Sequence, residues 1–189
     1  MGQLEKLADL KHRISSEAYH RMAEAGVFRP EARVELIEGG ILDRAPIGKL
    51  HASMVNRLNR LCFLAAGERV IVQVQGPLAL GEHSEPVPDL ALLKPRRDFY
   101  RDALPVASDV LLLIEVSDTS ERYDRRVKVP FYARHRIPEV WVIDLQNGLV
   151  HFYRGPSGET FDDISGAEHP GLTPVAALPG TAIDLSSLF

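Results

Sequence analysis

A chain of 189 residues with 45% hydrophobic and 25% charged residues is long enough for one α/β domain with a full core, and too balanced in composition to be fibrous or disordered. The formal charge of −4 excludes a strongly basic protein, so any contact with nucleic acid must use a local patch and not the field of the whole molecule. Cys62 is the only cysteine, which excludes a disulfide within the chain and a cysteine-based zinc site. With no signal-like N-terminus and no run able to span a bilayer, the expectation is a soluble protein of the reducing cytoplasm.

Residues 1–32 read as an N-terminal helical extension. Ser15-Ser16-Glu17 starts a short helix with a serine cap, and Gly26 ends it before Pro30. From Arg33 to Leu42 the pattern is two strands joined by a tight turn at Gly39-Gly40, a hairpin at the edge of the fold. Leu50, Met54, Val55, Leu58, Leu61, Cys62 and Ala65 recur at three- and four-residue steps, which predicts an amphipathic helix with its apolar face on a sheet.

Three strand candidates follow, Arg69 to Gln75, Pro88 to Leu93 and Val110 to Val116; the last two are apolar enough to be covered on both faces. Between them, Lys94 to Asp109 has no period and reads as a long surface loop, where Arg96, Arg97 and Arg101 most simply form a solvated charge cluster that could meet phosphates. After Ser117-Asp118-Thr119-Ser120, a capping stretch, Tyr123, Val127 and Phe131 step by four along a second helix. Pro130 predicts a kink or a late helix start near Lys128. Glu139 to Asp144 is a strand with Trp141 in its core, and Gly148 turns the chain into a partner strand from Leu149 to Tyr153. The core thus spans 33–154, and residues 155–189 are expected to hold short strands or coil, all within a single domain.

Two acids break this apolar pattern. Asp89 opens the run Val-Pro-Asp-Leu-Ala-Leu-Leu, and Glu115 nearly closes Leu-Leu-Leu-Ile-Glu-Val. Burying a carboxylate costs several kcal/mol, roughly, unless a cation or a set of donors compensates it. Backbone N–H groups or an arginine are the ordinary compensators of a strand acid. A hard divalent cation with oxygen ligands would serve both acids at once, with Lys128 as a fixed charge beside it; an exposed pair of Lys128 with Asp124 is the plainer alternative.

In the order helix, strand, Asp89 strand, Glu115 strand, Lys128 helix, strand, the chain resembles the PD-(D/E)XK restriction-endonuclease-like superfamily. Pro88-Asp89 matches the first half-motif and Glu115 the acid of the second, whereas Ser117 stands where lysine is usual. The strings Leu-Leu-Ile-Glu-Val-Ser-Asp-Thr-Ser (112–120), Tyr-Asp-Arg-Arg-Val-Lys-Val-Pro-Phe-Tyr-Ala-Arg (123–134) and Ile-Pro-Glu-Val-Trp-Val-Ile-Asp (137–144) are similar to the Uma-two family of putative restriction endonucleases; Glu-Leu-Ile-Glu-Gly (35–39), His51 and Leu-Pro-Gly (178–180) fit it too.

The resemblance implies an α/β fold, a restriction-endonuclease-like core with a central mixed sheet flanked by helices, an N-terminal hairpin and extra C-terminal strands. It implies that Asp89, Glu115 and the Val116 carbonyl bind Mg²⁺ or Mn²⁺, that Lys128 assists from the following helix, and that the enzyme cleaves DNA as a homodimer. Glu35 and His51 are supporting candidates, although a satisfied core histidine is the commoner fate of a residue such as His51. Two rivals stand beside this expectation: a non-cleaving binding or regulatory module on the same fold, favoured by Ser117 and the acidic charge, and a metal-dependent hydrolase of small phosphodiesters.

Overall fold

The structure, a computed structural model, describes residues 11–118 and 124–189. The chain forms two compact units, Met1–Pro46 with Ala79–Pro86 and Ile47–Leu78 with Val87–Phe189.

In the first unit the helix α1 (Ser16–Glu24) begins where its cap predicts: the Ser15 side chain accepts from the Ala18 N–H. Strands β1 (Val34–Ile37) and β2 (Gly40–Asp43) form a two-stranded antiparallel hairpin. Its turn lies one residue earlier than the sequence suggests, with positive φ at Glu38 and Gly39, while Gly40 already belongs to β2. Glycine is required at 39, since a Cβ there would come within 2.6 Å of Arg13. Residues 79–86 join this unit through the bridge between Leu36 and Glu85.

The second unit is built on a six-stranded mixed sheet in the order β3-β4-β5-β6-β7-β8: β3 (Ile71–Val74), β4 (Leu90–Leu93), β5 (Val110–Ser117), β6 (Glu139–Asp144), β7 (Leu149–Ser157) and β8 (Thr160–Ala167). Only β5 and β6 are parallel, and the crossover between them carries the helix α3 (Val129–Arg134). Every residue of β4, β5 and β6 is buried, as their continuous apolar runs require. The 18-residue helix α2 (Lys49–Ala66) supplies Met54, Val55, Leu58, Cys62 and Ala66 to the core beside Trp141. Leu50, expected on that face, is exposed instead because it sits in the helix's first turn, ahead of the first buried residue, Met54.

Two further differences from the sequence reading concern the C-terminal part. β7 continues through Gly155 and Pro156, and the next stretch is the eight-residue strand β8 that completes the main sheet, not a short strand or coil. The remaining strands, β9 (Leu172–Pro174) and β10 (Ala182–Asp184), form a small hairpin. Pro130 acts as anticipated: α3 begins only at Val129, after a wide π-type turn over Asp124–Lys128. The expected cap at Thr119-Ser120 and the step at Tyr123 lie outside the described residues.

Candidate active site

The register of β4 and β5 brings the two strand acids together. Leu90 pairs with Ile114 in an antiparallel ladder, so Asp89 and Glu115 occupy the next facing positions and project to the same side of the sheet. Their groups interlock: the Asp89 N–H donates to Glu115 Oε2 at 3.4 Å, and the N–H of Val116 donates to Asp89 Oδ2 at 2.9 Å. Both side chains are buried, at 4% and 3% exposure, so neither charge is shielded by bulk water.

Each acid has its own set of donors. On Asp89, Oδ2 also meets His51 Nε2 at 3.0 Å, and Oδ1 accepts from Gln75 Nε2 at 3.1 Å. His51 comes from the first turn of α2, and with a carboxylate as its partner Nε2 carries the proton. Gln75, at the end of β3, grips the same residue twice, because its backbone N–H donates to the Asp89 carbonyl at 3.0 Å. This double contact holds a non-glycine residue at φ 49°, a conformation that stores strain of about 1 kcal/mol or more. Burial pushes the Asp89 carboxyl up, but the His51 hydrogen bond and charge, the Val116 N–H and Gln75 together outweigh it and hold the group below its ordinary value.

On Glu115, Oε1 accepts from Lys128 Nζ at 3.2 Å and from the Tyr132 hydroxyl at 2.6 Å. Lys128 is buried at 6% exposure, not the exposed member of a helical surface pair. Its position follows from the interrupted helix: Lys128 ends the wide turn and Tyr132 lies one α-helical turn further on. Asp89 thus faces the imidazole of His51, and Glu115 the ammonium of Lys128, in a low-dielectric setting.

Asp89, Glu115, Val116, Lys128 and His51 are thus gathered in one place. Glu35 is on β1 in the first unit, buried at 3%, where it and Glu85 add to the effect of burial in raising the Tyr19 phenol. Sequence reasoning missed Gln75 and Tyr132. Nothing marks a glutamine at a strand end or a tyrosine on an apolar helix face as a partner of acids elsewhere in the chain. Cys62 is buried, and burial pushes its thiol up to about 12, so it is inert beside this chemistry.

The donor chemistry discriminates among cations. Among the described residues no group of three or more His, Cys, Asp and Glu side chains is arranged to hold a metal ion. Zinc sites use three or four protein ligands, whereas Mg²⁺ is commonly held by one or two carboxylates and keeps several waters. Two hard carboxylates beside the backbone of Val116 are oxygen donors of the kind that fits Mg²⁺ or Mn²⁺.

A mixed sheet with acids on facing positions of adjacent strands, and a lysine delivered by the next helix, is the architecture of the restriction-endonuclease-like class. The comparisons agree. Residues 16–186 match the model of the Uma2 family, described as "Putative restriction endonuclease", and the chain belongs to that family. Among solved structures it is similar to a crystal structure of a putative nuclease belonging to DUF820 from Anabaena variabilis ATCC 29413. That likeness has a TM-score of 0.73 at 17% identity, covers 93% of this chain and 97% of that one, and speaks for the fold. No curated protein matches the chain. Among the described residues no helix is long and apolar enough to cross a membrane.

Proposed function

We propose that the protein is a divalent-metal-dependent nuclease that hydrolyses phosphodiester bonds in DNA. In this reading Asp89, Glu115 and the Val116 carbonyl are the oxygen ligands of Mg²⁺ or Mn²⁺, and Lys128 is the residue that meets the reacting phosphate. The single observation that carries it is the pair of buried carboxylates on facing positions, Asp89 just before β4 and Glu115 on β5, with Lys128 on the latter.

When bound, such an ion would supply an acidified water and charge stabilisation at the attacked phosphate. The chain's own residues do the rest. His51, Gln75 and the Val116 N–H hold Asp89 deprotonated and in one orientation, so its charge is present at neutral pH. Lys128 places a compact, movable ammonium beside Glu115, where it can neutralise charge building on the phosphoryl oxygens. Its contact with Glu115 supports an active site over the non-cleaving alternative, because the helix lysine replaces the one that Ser117 lacks. Cutting both strands of a duplex with one such site per chain would take a homodimer.

The test is purified protein with Mg²⁺ or Mn²⁺ on supercoiled plasmid, linear DNA, RNA and cyclic dinucleotides, with Mn²⁺ binding followed by calorimetry. Metal-dependent nicking of DNA, lost together with Mn²⁺ binding in Asp89→Ala, is expected. Turnover confined to the small substrates would reassign the substrate, and neither cleavage nor binding would end the proposal.

A further inference from the structure

Lys128 and Tyr132 both donate to Glu115 Oε1, but they differ in freedom. Tyr132 is completely buried, with its ring against Phe131 at 5.5 Å, so its hydroxyl, 2.6 Å from the carboxylate, is fixed by packing. Lys128 reaches the same oxygen at 3.2 Å through a flexible four-carbon stem. A lysine locked on a ligand carboxylate would repel an entering cation and could not reach a phosphate. A neutral donor on that oxygen removes the need for it to stay.

We propose that Tyr132 is the positioning residue that keeps Glu115 Oε1 occupied, so that Lys128 can leave the carboxylate and turn to the substrate. The inference rests on the metal-dependent reading of the site and deepens it. Without the hydroxyl, Lys128 takes over the oxygen, and the ion pair tightens because the surroundings have a low dielectric. Glu115 is then held by a charge that competes with the metal.

Tyr132→Phe keeps the ring and removes only the donor. In the full chain, Mn²⁺ affinity by calorimetry is expected to weaken about 10-fold, and kcat on DNA to fall roughly 10- to 100-fold with KM within about 3-fold. Adding Lys128→Met to Tyr132→Phe is expected to restore Mn²⁺ affinity, since the competing ammonium is gone, while kcat stays low. A merely structural tyrosine would instead lower the melting temperature, leave Mn²⁺ affinity of the folded protein unchanged and show no restoration; that result overturns the inference. If Tyr132→Phe does not fold, Lys128→Met alone decides. Affinity at or above that of the unmodified protein supports Tyr132 as the holder of Glu115, and weaker binding overturns it. A protein that binds no Mn²⁺ at all refutes the underlying reading, whereas one that binds and cuts equally well with Phe at 132 refutes this inference alone.

Discussion

Glu115 on β5 and Glu139 on β6 are two buried carboxylates on neighbouring strands, and they are held in different ways. The parallel register pairs Glu115 with Val142, so Glu139, three residues back along β6, faces the opposite side of the sheet. Glu139 accepts from Trp141 Nε1 and Arg154 Nε at 2.7 Å on one oxygen, and from the Ala176 N–H at 2.7 Å on the other. Its charge partner is the guanidinium of Arg154, which also reaches Asp163 at 3.6 Å, and the Ala176 contact ties the C-terminal segment to the sheet. Glu115 instead meets the ammonium of Lys128 and the hydroxyl of Tyr132, and its other oxygen accepts from the N–H of a second buried acid, Asp89. Burial of an acid is therefore no mark of function; what sets Glu115 apart is a second buried carboxylate at the facing position across the ladder.

The sharpest way to break the comparison is to remove each acid in turn. Asp89→Ala or Glu115→Ala should lower cleavage by about 10³-fold or more, with the fold retained by circular dichroism. Glu139→Ala should leave kcat of the folded protein within about 3-fold of its starting value. Its effect falls on stability instead, a loss of roughly 3 kcal/mol in denaturant unfolding, because Arg154 and the Ala176 N–H lose their acceptor. Equal effects of the two substitutions on both readouts would dissolve the distinction.

Metal provides a gentler probe. At a Mn²⁺ concentration of about 100 Kd the protein should gain about 2.7 kcal/mol of stability, seen as a raised melting temperature. Asp89→Ala should abolish that gain and Glu139→Ala should keep it. A gain that survives loss of Asp89 would place the ion elsewhere.

The smallest expected effect concerns acid. Asp144, at the end of β6, is pushed up by burial but held below its ordinary value by the Asn147 side chain and by the N–H groups of Asn147 and Gln146. A depressed carboxyl stabilises the fold fully above its unfolded pKa of about 3.9, and the contribution is lost as pH falls through the lower folded value. Asp144→Asn should therefore lose part of its stability at pH 7 and unfold with a shallower acid dependence below about pH 4. An unchanged acid transition would mean that the turn contributes nothing to pH sensitivity.

Much of this was legible along the chain. The apolar runs around Asp89 and Glu115 are long enough to specify buried strands, the three- and four-residue step defines α2, and Pro130 forces the late start of α3. β8 was not legible: of Thr160 to Ala167 only Phe161 is buried, so an edge strand open to solvent left no apolar period to read. Gln75 and Tyr132 were hidden for another reason, since their roles depend on a partner distant in sequence. Glu139 shows the same limit from the other side, because it sits in an apolar strand just as Glu115 does.

By itself the sequence determined the buried strands, the main helices and the burial of Asp89 and Glu115, because periodicity and hydrophobic burial are local properties of the chain. Only the tertiary structure decided which buried acids face one another and which donors each one meets, because strand register and the approach of α2 and α3 set those distances between residues far apart in sequence.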